Sequence, residues 1–203
     1  MSTKYNVAIV GATGNVGREM IQILEDKEFP IDQLYLLASS RSKGKVIEFR
    51  GKDIIVEDLA EFDFAKVQIG LFSPGGKVSA EFAPKAAEAG CLVIDNSSYF
   101  RMNAEVPLIV PEVNASSLVE FFNNPDRSNI IANPNCSTIQ MVVALKPLHD
   151  QAIVNRVVVS TYQSVSGAGK EAMDELFNQT QNIYANKNLE KNKFTKQMAF
   201  NVI

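Results

Sequence analysis

A glycine-rich loop near the start of the chain constrains the fold more than any other feature of the sequence. The loop spans residues 11–17 (GATGNVG), after a strand predicted over 5–10 and at the start of a helix predicted to reach residue 27. The first glycine permits a tight turn, the second lets the backbone approach a pyrophosphate, and the helix N-terminus supplies N–H groups and partial positive charge. This order predicts a dinucleotide site; the alternative is a strand–helix turn that merely needs glycine. The cofactor residues assigned here are Gly11, Thr13, Gly14, Asn15, Val16 and Gly17.

The rest of the chain alternates short apolar runs with helical patterns. Strands are predicted over 34–38, 46–49, 53–56, 67–72, 91–94, 129–132 and 154–162, and further helices over 78–89, 137–149 and 170–184. This alternation is typical of a parallel sheet covered by helices, so we predict an α/β fold with a Rossmann-like, doubly wound, mostly parallel sheet. The nucleotide-domain pattern ends at Ala132, where we place a domain boundary.

Composition narrows the class of protein further. The 203 residues carry a net charge of -3, with 46% hydrophobic and 21% charged residues. This composition is too apolar for a disordered chain and typical of a globular one. The chain also lacks the excess of basic residues that is typical of a nucleic-acid-binding protein. The apolar runs are far shorter than the ~20 residues of a membrane helix, and the first strand follows without a secretory signal. Two cysteines, Cys91 and Cys136, are too few for a disulfide framework. We therefore expect a cytoplasmic enzyme or binding domain with no nucleic acid, membrane or metal partner.

The loop after the second predicted strand favours NADP over NAD. An NAD site normally has an acidic residue about 20 residues after the glycine loop, where it binds the ribose hydroxyls. Here residues 38–44 (ASSRSKG) contain hydroxyls and cations but no acid. Arg41 would neutralise a 2′-phosphate, and Ser39 or Ser42 would donate hydrogen bonds to it. The alternative is a solvated basic loop without a ligand.

A cysteine is predicted at the entry to an apolar helix. Cys136 lies within 133–138 (NPNCST), and the helix N-terminus there favours the thiolate and offers N–H groups to an oxyanion. Cys91 opens a buried strand, where core packing is the simpler interpretation. Taken alone, Cys136 is consistent with a nucleophile or with an ordinary helix residue.

The motifs together resemble one family, the aspartate-β-semialdehyde dehydrogenases. The matching segments occur in order over nearly the whole chain: 7–17 (VAIVGATGNVG), 39–42 (SSRS), 95–98 (DNSS) with Arg101, 111–114 (PEVN), 133–138 (NPNCST) and 163–169 (QSVSGAG). The resemblance implies an NADP-dependent enzyme that reductively dephosphorylates L-aspartyl phosphate to L-aspartate semialdehyde, releasing inorganic phosphate, in lysine, threonine and methionine synthesis.

The resemblance also implies roles for single residues. Cys136 is the nucleophile that holds the acyl group as a thioester, and NADPH supplies a hydride to its carbonyl. Asn135 orients the reacting group, Gln163 lies against the substrate, and Arg101 binds the phosphate group. Four further residues are assigned to the cofactor: Ser73 and Gly75 in a second cofactor loop, and Ser166 and Gly167 near the nicotinamide.

The resemblance assigns residues 1–132 to an NADP-binding domain. It assigns 133–203 to the opening, incomplete part of an α+β catalytic and dimerisation domain, through which the family forms homodimers. The oligomeric state of this chain is left open by the sequence. His149 is the only histidine, and it would lie ~20 Å from Cys136 along a helix. It suits a helix C-terminus instead. The family carries its catalytic histidine in a later segment. We therefore expect a chain that binds NADP without turnover, most simply a fragment, with a naturally shortened homologue as the alternative.

Other functions remain in competition. N-acetyl-γ-glutamyl-phosphate reductase shares the architecture and the use of a cysteine, and glyceraldehyde-3-phosphate dehydrogenase is a more remote relative. A non-catalytic NADP-binding module is the alternative from another class, and an inert Cys136 would favour it. An interaction domain with an incidental glycine loop would leave Arg101, Cys136 and Gln163 unexplained.

Overall fold

A single seven-stranded sheet dominates the computed structural model, which describes residues 3–202. Its strands are β1 Tyr5–Val10, β2 Ile31–Ala38, β3 Val46–Phe49, β4 Lys52–Asp58, β5 Ile69–Phe72, β6 Leu92–Asp95 and β7 Ile130–Ala132. The helices are α1 Asn15–Asp26, α2 Gly76–Glu88, α3 Pro111–Asn114, α4 Ser117–Asn123, α5 Cys136–Gln151 and α6 Lys170–Tyr184. The strand order is β3-β4-β2-β1-β5-β6-β7, and every neighbouring pair is parallel except β3 and β4.

Strand β1 is buried on both faces of the sheet. Val7 and Ile9 pack with α1, whereas Ala8 and Val10 pack on the opposite face with α2, and all four are fully buried. Burial on both faces explains why the strand is a continuous apolar run without alternation. The prediction of a doubly wound α/β sheet is confirmed.

The direction in which the sheet grows reverses at β1. Strand β2 pairs with one side of β1, and β5 pairs with the other. In doubly wound sheets a crevice opens outside the carboxyl ends of the strands at such a switch point, and ligands bind there. A ligand site is therefore expected at the loops that follow β1, β2, β5, β6 and β7.

Two compact units make up the chain. The first spans residues 1–157 and contains the sheet, and the second spans 158–203 and contains α6. The boundary predicted at Ala132 from the sequence pattern stays a prediction. No helix among residues 3–202 is long and apolar enough to span a membrane.

The strand predicted over 154–162 is wrong. No regular structure forms there, and Val158, Val159 and Tyr162 are 82%, 57% and 87% exposed. β-branched residues favour a strand only where a neighbouring strand supplies a ladder and a packing surface. No described strand pairs with this segment. Conversely, α3 and α4 form in a region for which no helix was predicted.

Candidate active site

The glycine loop packs against the loop after β5 at the switch point. Gly11 has φ +88°, and a Cβ there would lie 2.7 Å from the carbonyl oxygen of Ser73. A Cβ on Gly17 would lie 2.2 Å from the carbonyl oxygen of Gly11. Both positions therefore require glycine. Gly14 caps α1, and residues 14–16 are exposed, so the helix N-terminus is open to a ligand.

The loop after β2 contains two cations, Arg41 and Lys43, and among the described residues only Lys43 has an ion-pair partner. Lys43 forms an ion pair with Glu61, and the hydrogen bond that it donates to that carboxylate raises the pKa of Lys43. Arg41 is exposed and forms no hydrogen bond or ion pair with another described residue. The loop lies beside the glycine loop, because Thr13 Oγ1 is 3.5 Å from Ser42 Oγ. Arg41 is thus the cation available to a cofactor phosphate, with exposed Ser39 beside it.

The loop between β5 and α2 supplies a second open backbone segment. Gly75 has φ +93°, precedes the first residue of α2, and has no atom within 4 Å of where a Cβ would stand. This cradle fits a nucleotide whose phosphates approach the backbone closely. Ser73 contacts the next loop, since its Oγ accepts a hydrogen bond from Asn96 Nδ2 at 3.4 Å.

Arg101 is held by two backbone carbonyl groups. Its Nε donates to Asn133 O at 3.0 Å, and its Nη2 donates to Asn96 O at 2.9 Å. The two asparagines are themselves joined, because Asn133 Nδ2 donates to Asn96 Oδ1 at 2.5 Å. A guanidinium has five N–H groups, so about three remain for a ligand. The result is a pre-oriented, half-buried cation suited to a phosphate group.

Cys136 is the first residue of α5, and its side chain is exposed. Asn135 is the N-cap: its Oδ1 accepts from Ser137 N at 3.0 Å and from Ser137 Oγ at 2.5 Å. Cys91, by contrast, is fully buried, and desolvation raises its pKa to about 12. Cys136 is therefore the accessible thiol of the pair.

The remaining predicted site residues lie in the second unit. Gln163 packs on Gly167, where a Cβ would lie 2.0 Å from Gln163 Nε2. The Ser164 hydroxyl accepts from Ser166 N at 3.5 Å and lies 3.1 Å from Ser166 Oγ. A groove of about 520 Å³ is lined by residues that include Gln163, Gly167, Thr195, Lys196 and Met198.

The only histidine lies at the far end of α5 from Cys136. His149 stands in the last turn, and its Nδ1 accepts a hydrogen bond from Val154 N at 3.2 Å. It therefore joins the helix to the residues that follow.

Sequence reasoning assigned no role to Asn96 or Asn133, although the structure uses both to hold Arg101. Asn96 follows β6 directly, and Asn133 follows β7 directly. Polar residues immediately after adjacent parallel strands share one sheet edge, and this signal could have found them.

Comparison with known proteins gives a consistent result. A family model described as "Semialdehyde dehydrogenase, NAD binding domain" matches residues 6–121, and one described as "Semialdehyde dehydrogenase, dimerisation domain" matches 145–203. Aspartate-semialdehyde dehydrogenase 2 of Vibrio cholerae is 55% identical over 203 residues, which is all of this chain and 59% of that protein. The enzyme of Aquifex aeolicus is 54% identical over 98% of this chain and 58% of its own length.

Solved structures agree. The crystal structure of aspartate semialdehyde dehydrogenase II from Vibrio cholerae complexed with ASA matches with a TM-score of 0.92 and 55% identity, over 98% of this chain and 58% of that one. The Candida albicans enzyme with NADP matches with a TM-score of 0.62 and 27% identity, over 75% of this chain and 48% of that one. The chain thus spans less than two thirds of the length of these relatives. Because the NAD-binding-domain model covers more than half of it, the chain belongs to the semialdehyde dehydrogenase family.

Proposed function

We propose that this chain contains the cofactor site and the nucleophile of an NADP-dependent aspartate-β-semialdehyde dehydrogenase. The observation that carries the proposal is that Arg101 is hydrogen-bonded to the carbonyl group of Asn133, three residues before the exposed thiol of Cys136. A nucleophile with a phosphate-binding cation held against its own segment is what an acyl phosphate requires. The crystal structure of the V. cholerae relative is described as complexed with ASA, and this supports the aspartyl series.

The residues act in a simple order. The Cys136 sulfur bonds to the acyl carbon of L-aspartyl phosphate as the bond from that carbon to the phosphate oxygen breaks, and inorganic phosphate leaves toward Arg101. The free N–H groups at the start of α5 stabilise the oxyanion that forms on attack. NADPH, when bound, supplies the hydride that reduces the thioester. Asn135 orients the acyl group and Gln163 contacts the substrate.

The cofactor assignments follow the same loops. Exposed backbone at 14–16 and at Gly75 faces the pyrophosphate, and Arg41 with Ser39 and Ser42 binds the 2′-phosphate of NADP. Ser166 and Gly167 serve the nicotinamide end. A homodimer formed through residues 145–203 is supported by the dimerisation-domain match. A reducing cytoplasm suits two unpaired cysteines.

Thioester formation can be tested on this chain directly, because it precedes the reduction. We expect incubation with L-aspartyl phosphate, without cofactor, to release about one phosphate per chain and to add one aspartyl group at Cys136. The measurement is intact mass and peptide mapping beside a phosphate assay. Cys136→Ala abolishes the adduct and Cys91→Ala preserves it. An adduct on N-acetyl-γ-glutamyl phosphate alone would favour the related reductase. No adduct at all, with NADP binding intact, would favour a non-catalytic module.

Cofactor preference tests the role of Arg41. We expect Arg41→Met to weaken NADP⁺ binding by about tenfold or more and to leave NAD⁺ binding nearly unchanged, because a charge-assisted contact to the 2′-phosphate is lost. Lys43→Met is the matched control, since Lys43 already pairs with Glu61. Calorimetric titration of both nucleotides measures the effect. Equal losses for NADP⁺ and NAD⁺ would refute the assignment.

A further inference from the structure

A buried carboxylate lies behind the loop that holds Arg101. Asp95 ends β6 and is fully buried. Its Oδ1 accepts from Ser79 Oγ at 2.8 Å and from Ser97 N at 3.1 Å, and its Oδ2 accepts from Ser97 Oγ at 2.6 Å. No ion pair between described residues includes Asp95. A buried carboxylate without a cation is costly, and hydrogen-bond donors must offset that cost.

These bonds determine the path of the chain after β6. Asp95 binds both the N–H and the hydroxyl group of Ser97, which closes a tight turn around Asn96. The Ser97 hydroxyl in turn accepts a hydrogen bond from Tyr99 N at 3.3 Å. The backbone at Asn96 is therefore held by the hydrogen bonds between its two neighbours, Asp95 and Ser97.

Both carbonyl groups that hold Arg101 depend on Asn96. One is the carbonyl group of Asn96 itself, and the other belongs to Asn133, whose side chain donates to Asn96 Oδ1. A change in the turn would move both acceptors together, and Arg101 with them. Ser79, on α2, extends the same network to the helix that follows the Gly75 loop.

We propose that Asp95 is a positioning residue, which orients the phosphate-binding guanidinium of Arg101 through Ser97 and the turn at Asn96. This inference rests on the proposed role of Arg101. Asp95 itself is fully buried, and its side chain accepts hydrogen bonds from Ser79 and Ser97. It acts by holding in place the carbonyl groups that leave the remaining N–H groups of Arg101 directed at a ligand.

The test uses inorganic phosphate as the probe and the 203-residue chain as the protein. Iodoacetate carboxymethylates the exposed Cys136, and phosphate bound at Arg101 should slow the reaction; buried Cys91 does not compete. The phosphate concentration for half-maximal protection measures affinity. The rate with neutral iodoacetamide, without phosphate, measures the accessibility of the thiol.

Ser97→Ala should raise the half-protecting phosphate concentration by about fivefold or more, because it removes a bond to a charged group. Ser98→Ala is the matched control one residue along the chain: Ser98 is exposed, and no hydrogen bond to a described residue involves its hydroxyl group. Ser79→Ala should act like Ser97→Ala, as should Asp95→Asn where it folds. The iodoacetamide rate of Ser97→Ala should match that of Ser98→Ala, whereas its unfolding temperature should be lower, because a donor to a buried carboxylate is lost.

The outcomes separate the two proposals. Unchanged phosphate affinity in Ser97→Ala and Ser79→Ala, with the wild-type chain protected, overturns the positioning role and leaves the phosphate role of Arg101 standing. A loss of phosphate affinity that comes with an equal change in iodoacetamide rate overturns it too, since the defect is then general. If phosphate does not protect the wild-type chain, the phosphate role of Arg101 fails, and the positioning role fails with it.

Discussion

The unit spanning 1–157 buries a mostly apolar core, whereas the unit spanning 158–203 is organised around two buried polar side chains of α6. In the first unit, residues such as Ile9, Leu36 and Phe72 are fully buried on the two faces of the sheet. In the second, Glu175 and Gln179 are 7% and 1% exposed, and the other buried residues of its described part are two alanines, Ala172 and Ala199.

The polar side chains of α6 bind the segment that follows it. Glu175 Oε2 accepts from the backbone N–H groups of Asn192 and Lys193. Gln179 Nε2 donates to Glu190 O at 2.9 Å and to Glu175 Oε1 at 3.0 Å, and Gln179 Oε1 accepts from Met198 N at 2.8 Å. Apolar burial depends on area and shape, whereas such bonds depend on direction and ionisation. The two units should therefore respond differently to mutation and to pH.

The largest effect should come from the sheet core. Ile9→Ala removes a fully buried side chain from β1 and should lower the free energy of unfolding of the first unit by about 2–5 kcal/mol. Ile55→Ala is the matched control, since Ile55 is 61% exposed on β4; it should cost less than about 1 kcal/mol. Urea unfolding followed by circular dichroism measures both. Equal losses would mean that burial on β1 does not dominate the stability of this unit.

A smaller, local effect is expected for α6. Gln179→Ala leaves the N–H of Met198 and the carbonyl group of Glu190 without their partner, at a cost of about 1–3 kcal/mol. Amide hydrogen exchange should accelerate at Met198 and Ala199, while amides of β1 keep their protection. Gln181→Ala is the control, because Gln181 is exposed on the same helix. Equal acceleration of amide exchange in β1 would contradict a local role for the hydrogen bonds of Gln179.

The smallest effect is a dependence on pH. The N–H of Lys193 holds the pKa of Glu175 below its ordinary value; burial opposes this, and the N–H groups of Asn192 and Phe194 add to it. A carboxyl group whose pKa is lowered on folding contributes stability that is present above its unfolded pKa and is lost as the pH falls through the folded pKa. Acidification below about pH 4 should therefore release the segment. The amide NMR signal of Lys193 should titrate in this range, and Glu175→Gln should abolish that titration. A signal that titrates equally in both would assign the effect to another group.

The elements that depend on local chemistry were predictable. The strand at 5–10 and the helix at 170–184 form as predicted, because continuous apolar runs and helical spacing act within one segment. The cysteine predicted at a helix entry is at the first position of α5, since Asn135 is a strong N-cap. By contrast, 154–162 has the composition of a strand and forms none, because a strand also needs a partner.

The sequence by itself determined the glycine loop, the α/β order, the choice between the two cysteines and the family resemblance. The glycine loop and the choice between the cysteines depend on residues within about one element of each other, where spacing and residue type limit the backbone directly. The α/β order and the family resemblance depend on the order of such segments along the chain. Only the tertiary structure decided that Lys43 pairs with Glu61 while Arg41 forms no ion pair with any residue of the described range 3–202. It also decided that Asn96 and Asn133, which lie on adjacent strand ends but far apart in sequence, hold Arg101 from two sides. The reason is physical: hydrogen-bond partners are selected by the register of the sheet, which brings distant residues to one edge.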